Sequence, residues 1–199
     1  MTDRRPFVAG ALAVIAIGMS AIFAIGSEEK ESSWHPARLS TERYPAGWRT
    51  SLPAAQAGAK FRLLLPSTEV LDPASGRDVY LFPGGTGVAL EFPLLTPSTR
   101  PVRQEYLEVW EGRWTFSDDP SEVFAQDVEA DPVSTALIRI EGVDVLTVNA
   151  HSPNDDEHAN PSFVRFALRG LDIQVSGGDH MEDVLDIARS MIARYVPAD

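Results

Sequence analysis

Two segments of the sequence share one pattern, in which alternating apolar and polar residues are interrupted by a residue–glycine pair. "ALIRIEGVDVLTV" (136–148) has this pair at Glu141-Gly142, and "VRFALRGLDIQV" (164–175) has it at Arg169-Gly170. Such pairs are typical of two-residue hairpin turns, because glycine accepts the left-handed backbone that these turns need. The pattern predicts two hairpins of one antiparallel meander. It does not indicate a repeat fold, whose units are longer and stacked in series.

Three further stretches carry strand signals. "DVYLF" (78–82) and "TGVALEF" (86–92) flank a Pro-Gly-Gly sequence and predict another hairpin. "FRLLL" (61–65) is an apolar run stopped by a proline, which predicts a strand. "EYLEVWEGRWTF" (105–116) alternates, and its central Glu-Gly pair predicts a turn.

Three stretches carry helix signals. Ser51 can cap one short helix, and Asp119 can cap another at "DPSEVFAQDV". In "SGGDHMEDVLDIARSMIARYV" (176–196), Asp179 and Glu182 form a predicted capping box, and apolar residues recur at helical spacing. Its apolar face must cover one face of the sheet. The sequence therefore predicts an α+β fold: a single antiparallel, curved sheet of meander hairpins, with a C-terminal helix and short helices packed on one face.

The run from Phe7 to Gly26 is apolar and has the length of a membrane span. As a helix it would cover the ~30 Å core of a bilayer, and its length favours a retained anchor over a cleavable signal, whose apolar core is usually ~7–15 residues. Ala24-Ile25-Gly26 nevertheless has the small residues that a signal peptidase accepts. Arg4 and Arg5 precede the run, so we expect residues 1–6 in the cytoplasm and a single-pass protein of the cell membrane with its domain outside.

The charge balance limits the partners of the exported part. The chain carries a net charge of −12, to which residues 1–26 contribute +1 (Arg4 and Arg5 against Asp3), so the rest carries −13. Such a surface repels nucleic acid and anionic headgroups, and we expect no binding to nucleic acid. There is no cysteine, so an exported domain would depend on its core alone.

Residues 27–49 are polar and without a sustained period, and they predict an extracytoplasmic stalk that leads to a domain at 50–199. The stalk contains Trp34, Tyr44 and Trp48, which could lie in the membrane interface or dock on the domain. We expect docking for Trp48, because it lies close to the start of the domain.

Two segments, "SLPAAQAGAKFRLLLPS" (51–67) and "MEDVLDIARSMI" (181–192), resemble uncharacterised extracytoplasmic domains of Gram-positive, actinobacterial-type bacteria. Such domains often follow a single membrane helix, sometimes in anti-sigma or envelope-stress proteins. The resemblance implies a short helix, a strand ending in Leu-Pro, antiparallel hairpins and a final helix with an Ile-Ala-x-Ser core, here Ile187 to Ser190. This sequence lacks a sigma-binding region before the predicted anchor, so the resemblance implies fold and location but no activity.

One loop has the residues for metal chemistry. "HSPNDDEHANPS" (151–162) contains His151, Asp155, Asp156 and His158, whose imidazole and carboxylate groups could bind a metal ion. The alternative is a polar loop between two strands, and it is favoured because the spacing matches neither an HExxH helix nor a calcium loop. We therefore expect no metal and no other cofactor.

The sequence offers no catalytic constellation. It has no G-x-S-x-G elbow, and His151 and His158 are the only plausible bases, with no identified nucleophile. We expect a non-enzymatic interaction or sensory module of the cell envelope, with another envelope protein as partner. The alternatives are a lipid or apolar-ligand carrier, which needs a cavity not filled by Met181, Leu185 and Met191, and an envelope hydrolase, which needs converging histidines. An interaction module needs an exposed apolar patch, which we expect near Trp34 or Trp48.

Overall fold

The computed structural model describes residues 44–72, 76, 78–151 and 159–196, and its main element is one open antiparallel sheet. Its eight strands are β1 (Arg49–Thr50), β2 (Asp78–Leu81), β3 (Gly87–Phe92), β4 (Leu107–Arg113), β5 (Thr135–Ile140), β6 (Val143–Val148), β7 (Phe163–Leu168) and β8 (Leu171–Ser176). Their order is β1-β2-β3-β4-β8-β7-β6-β5. The two-residue β1 therefore lies at one edge and the six-residue β5 at the other.

Three helices accompany the sheet: α1 (Leu52–Gly58), α2 (Pro120–Ala130) and α3 (Met181–Tyr195). Helix α3 packs against β7 and β8, and α1 packs against β2. The main core lies between α3 and one face of the sheet, which we call the first face. Val109, Phe166 and Ile173 on this face are inaccessible to solvent. The predicted α+β architecture with a C-terminal helix on the sheet is confirmed.

The prediction that all helices pack on one face is wrong for α2. In β6, Val145 belongs to the core under α3, whereas Leu146 and Val148 point to the opposite face and contact α2 through Phe124. Both faces of this strand are apolar, so each needs a cover. The sheet is therefore covered by helices on both faces.

The hairpin predictions are confirmed at three turns. Glu141 and Gly142 have φ of 47° and 83°, and Arg169 and Gly170 have φ of 54° and 74°, which is the left-handed backbone of a two-residue turn. β2 and β3 are joined through the 3₁₀ turn Pro83–Gly85. The four strands β5 to β8 pair in chain order, as one meander.

One turn prediction and one strand prediction are wrong. The Glu111-Gly112 pair is not a turn but lies inside β4. Residues 61–65 form no strand, because the backbone N–H groups of Leu63 and Leu64 donate to the side chains of Gln56 and Glu111 instead of to a neighbouring strand. We call residues 59–71 the strap, since this irregular segment crosses the first face of the sheet.

Two of the three predicted caps are confirmed. Ser51 accepts a hydrogen bond from the Ala54 N–H, and Asp119 accepts one from the Ser121 N–H. The predicted capping box of α3 is wrong, since the N-cap of that helix is His180 and its side chain makes no capping bond. The Asp179 carboxylate binds Thr99 instead.

The predicted membrane anchor at 7–26 lies outside the described residues. Among the residues that the structure describes, none of the helices has the length and apolar character that a membrane span requires. The predicted docking of Trp48 is confirmed, since its ring lies 5.0 Å from that of Phe82. Tyr44 docks beside it, so the last residues of the predicted stalk belong to the folded domain.

Candidate functional site

Of the four candidate metal ligands in the loop 151–162, the structure describes only His151. His151 pairs with Asn160 in an isolated bridge, and its Nδ1 lies 2.9 Å from the Asn149 carbonyl oxygen. Asp155, Asp156 and His158 lie outside the described residues. Among the described residues, no three His, Cys, Asp or Glu side chains are grouped as a metal site would require.

A second histidine, His180, lies at the start of α3 in a structural network. Its Nε2 is 2.9 Å from the Pro97 carbonyl oxygen and 3.4 Å from the carboxylate of Asp179. Burial acts to raise the pKa of Asp179, but hydrogen bonds from Thr99 and the neighbouring imidazole outweigh it and hold this pKa below its ordinary value. The network joins the loop before β4 to α3, and its histidine contacts a carbonyl oxygen and a carboxylate.

The space between α3 and the sheet is filled by the side chains of the helix itself. Met191 is fully buried, Leu185 is buried, and Met181 packs against the same core. A carrier of apolar ligands needs a cavity at this place, and these three residues occupy it.

The edge strand β5 offers unpaired backbone groups. On its inner side, the Asn149 N–H donates to the Ser134 carbonyl and the Thr147 hydroxyl donates to that of Ala136. Since backbone groups point alternately toward and away from the neighbouring strand, Leu137 and Arg139 direct their N–H and C=O groups away from β6. Within the described residues no strand lies beyond β5.

The same edge carries exposed apolar side chains. Val133, just before the strand, is 92% exposed, and Leu137 within it is 39% exposed. An open groove of about 640 Å³ lies between β5 and α3, lined by both apolar and charged residues. Its apolar lining includes Val70, Ile138 and Ile140. We call β5 with this groove the β5 edge.

A row of three acidic side chains lies across strands β2, β3 and β4, on the second face of the sheet, which is the face opposite to α3. Asp78 of β2 pairs with Glu91 of β3, which in turn pairs with Glu108 of β4. Directly opposite residues of neighbouring strands have Cβ atoms ~5 Å apart, so Glu91 lies beside both Asp78 and Glu108. Their exposures are 7%, 1% and 1%. Carboxylates that are buried to this extent normally have partners, and each of these three side chains makes at least one interaction.

Aromatic rings surround this acidic row. Tyr80 and Trp110 are buried on the same face, and the rings of Phe82, Tyr44 and Trp48 pack on them. The Tyr44 hydroxyl donates to Glu108 at 3.2 Å, and Arg49 forms an ion pair with Asp78. We call the acidic row and the rings of Tyr80, Phe82 and Trp110 the acidic–aromatic face. Residues 44–50, which lie on it, are the cover segment.

One buried carboxyl lies on the first face. Glu111 of β4 is inaccessible to solvent between Val88 and Ile173 on the neighbouring strands, beneath the strap. Its Oε2 accepts the Leu64 N–H at 2.8 Å, and its Oε1 has no hydrogen-bond partner among the described residues. Burial raises the pKa of Glu111 to about 8, against the opposing effect of the Leu64 hydrogen bond.

Sequence reasoning missed the acidic row, the cover segment and Glu111. A signal was present, since Glu108 and Glu111 are three residues apart in one predicted strand stretch and therefore point to opposite faces of it. Alternation alone does not give the register between strands, so it could not show that Asp78, Glu91 and Glu108 are neighbours.

The comparisons with known proteins give no relative. No protein-family model matches the sequence, and no curated protein or solved structure matches the chain.

Proposed function

We propose that this chain is a non-enzymatic interaction module of the bacterial cell envelope, anchored in the membrane by residues 7–26, that captures an extended segment of another envelope protein along β5. The observation that carries this proposal is the open backbone of Leu137 and Arg139 on a six-residue edge strand. The apolar run from Phe7 to Gly26, with Arg4 and Arg5 before it, supports the location.

Strand addition explains the combination of features at the β5 edge. An added strand would bond to the outward N–H and C=O groups, and its side chains would alternate between the groove beside α3 and the surface near Leu137. Natural edge strands are usually protected by charges, proline or bulges, whereas β5 carries a single charged residue, Arg139, which pairs with Asp144 at 3.5 Å. The partner is therefore an extended polypeptide with apolar side chains at alternate positions.

Self-association along the same edge is disfavoured by charge. Each chain carries −12, and two acidic domains repel each other at ordinary ionic strength. A lipid carrier would need the space that Leu185 and Met191 fill. A hydrolase would need a nucleophile beside His151 or His158, and the Nδ1 atom of His151 lies 2.9 Å from the Asn149 carbonyl oxygen.

Site-specific photo-crosslinking in the native envelope tests the proposal. A photoreactive residue at Leu137 should give one discrete adduct with a second protein, and the same residue at Glu182, exposed on α3, should not. Arg139→Pro removes an outward N–H while leaving the bonds to β6, so it should abolish the adduct, whereas Arg139→Ala should retain it.

Circular dichroism and thermal unfolding must show that Arg139→Pro is folded. A second arrangement avoids backbone change: with the photoreactive residue at Arg139, Leu137→Lys should suppress the adduct, since lysine on an edge opposes pairing. An adduct that survives both Arg139→Pro and Leu137→Lys, or no adduct at either position, would exclude strand addition at β5.

A further inference from the structure

The groove of the β5 edge is lined by charged as well as apolar side chains. Its charged lining residues are Arg139, Glu141, Asp186 and Arg189. Arg139 lies 3.5 Å from the carboxylate of Asp144. Arg189 donates to Asp186 at 2.8 Å and to Glu182 at 3.1 Å. Both positive charges at the groove therefore have acidic partners within the chain.

Glu141 differs from these paired groups. It is exposed in the turn that follows β5, where its φ is 47°. Within the described part of the chain, its carboxylate makes no hydrogen bond and no ion pair. Together with their partners, the charged groups at the groove are two arginines against four acidic residues, a local charge of −2, and the whole chain carries −12. Both the local and the overall charge favour a cationic group beside Glu141.

The strand sets where such a group would lie. Ile138 and Ile140 line the groove, because residues two apart in a strand share a face. An added strand would place alternate side chains over these two isoleucines, and its next groove-facing position lies toward the turn, beside Glu141. Lysine and arginine suit this position, since their methylene stems cover apolar surface while the charged end reaches the polar margin.

We propose that the segment captured along β5 carries a lysine or arginine at the groove-facing position beside Glu141, and that Glu141 selects it by charge. This inference rests on the proposed function, because it names the partner chemistry of the same edge. A segment with an acidic side chain at this position is rejected, since it would face the carboxylates of Glu141 and Asp186. The partner is thus an extended segment with apolar residues at alternate positions and one basic residue in the same series.

Photo-crosslinking of the full chain in the native envelope, with the photoreactive residue at Leu137, tests this selection through the yield of adduct before saturation. Glu141→Gln removes the charge and keeps the shape, so the yield should fall about threefold, as expected for an exposed ion pair. Glu141→Lys places a like charge beside the basic residue, so the yield should fall about tenfold or more.

Glu105→Lys is the matched control for net charge. It changes the charge of the chain by the same amount as Glu141→Lys. Glu105 is exposed just before β4, and the strands β8, β7 and β6 lie between β4 and β5. The yield with Glu105→Lys should therefore equal that of wild type.

The adduct also gives the sequence of the partner segment. Tandem mass spectrometry of the digested adduct should show a lysine or arginine within about four residues of the linked position, since an added strand runs residue by residue beside β5. Changing that residue to glutamate in the partner should raise the yield with the Glu141→Lys chain about tenfold, because the charge pair is restored in reverse. A structural defect caused by Glu141→Lys would not be repaired in this way.

Three results would overturn the inference and leave strand addition intact. They are a yield that Glu141→Lys does not lower, a yield that Glu105→Lys lowers equally, and a linked partner segment without a basic residue. If circular dichroism shows that Glu141→Lys is not folded, Glu141→Gln and the partner sequence decide between these outcomes. No adduct at Leu137, or an adduct between two copies of this chain, would exclude the proposed function and this inference together, so the two failures are distinguishable.

Discussion

Glu111 gives a stability prediction whose size follows from its surroundings. The side chain is inaccessible to solvent between Val88 and Ile173, and one oxygen has no partner among the described residues. Burial raises its pKa from 4.5 to about 8. The perturbation is Glu111→Gln, which preserves shape and the acceptor for the Leu64 N–H but cannot ionise.

The sign of the pH effect follows from linkage. Below pH 4.5 the carboxyl is neutral in both the folded and the unfolded chain, so the contribution of Glu111 to stability is complete. As pH rises, the unfolded chain loses the proton while the folded chain keeps it until about pH 8. At ~1.4 kcal/mol per pH unit, the free energy of unfolding falls by about 3 kcal/mol by pH 7 and by about 4 kcal/mol by pH 8, relative to the glutamine variant.

Urea unfolding of both proteins from pH 4.5 to pH 9 measures this difference. Other titrating groups are common to both proteins and cancel, and any fixed cost of burying the glutamine amide shifts the curve without changing its slope. Glu182→Gln is the control, since an exposed ion pair contributes less than ~1 kcal/mol at any pH. A difference between wild type and Glu111→Gln that stays constant across this range would refute the argument from burial.

Three other substitutions test the packing and electrostatics of the fold. Arg165→Ala removes the guanidinium that binds Asp172 through two hydrogen bonds in the interior, and should lower the free energy of unfolding by about 3–5 kcal/mol in urea, against less than ~1 kcal/mol for an exposed arginine. Gly177→Ala would place a Cβ 2.7 Å from a backbone carbonyl oxygen at a φ of 153°, and should cost about 1–3 kcal/mol by thermal unfolding, whereas Gly47→Ala, with open space around it, should cost less than ~1 kcal/mol. The Asp179 carboxylate contributes stability above pH 3.8, and this contribution is lost as pH falls through its lowered pKa. Asp179→Asn should therefore be less stable than wild type at pH 6, and the two free energies of unfolding should converge in acid. A difference between them that is equal at pH 2 and pH 6 would contradict this.

The hairpins could be predicted because their signals are local. A turn such as Glu141-Gly142 needs a backbone that only a few residues accept, and its position fixes the register of both strands. The Glu111-Gly112 pair has the same letters and is no turn. A Cβ at Gly112 would collide with the ring of Trp110, so this glycine is required by side-chain packing on a straight strand. That requirement arises from tertiary contacts, which the pair itself does not encode.

The strap and the acidic row could not be predicted for a related reason. Residues 61–65 have the composition of a strand, but their N–H groups are satisfied by side chains from α1 and β4, which only the folded structure brings together. The acidic row depends on the register of β2, β3 and β4, so no window of sequence contains it. The α3 prediction succeeded because the helical period extends over fifteen residues.

The central strand β4 combines a fully buried position in the sheet with two acidic side chains. It buries Glu108 on one face and Glu111 on the other, and each burial costs free energy that an apolar residue would not. On the first face, a hydrogen bond that Glu111 accepts from the strap offsets part of this cost. On the second face, Glu108 accepts a hydrogen bond from the Tyr44 hydroxyl. Both glutamates therefore hold other segments of the chain on the central strand: Glu111 holds the strap, and Glu108 holds the segment that contains Tyr44.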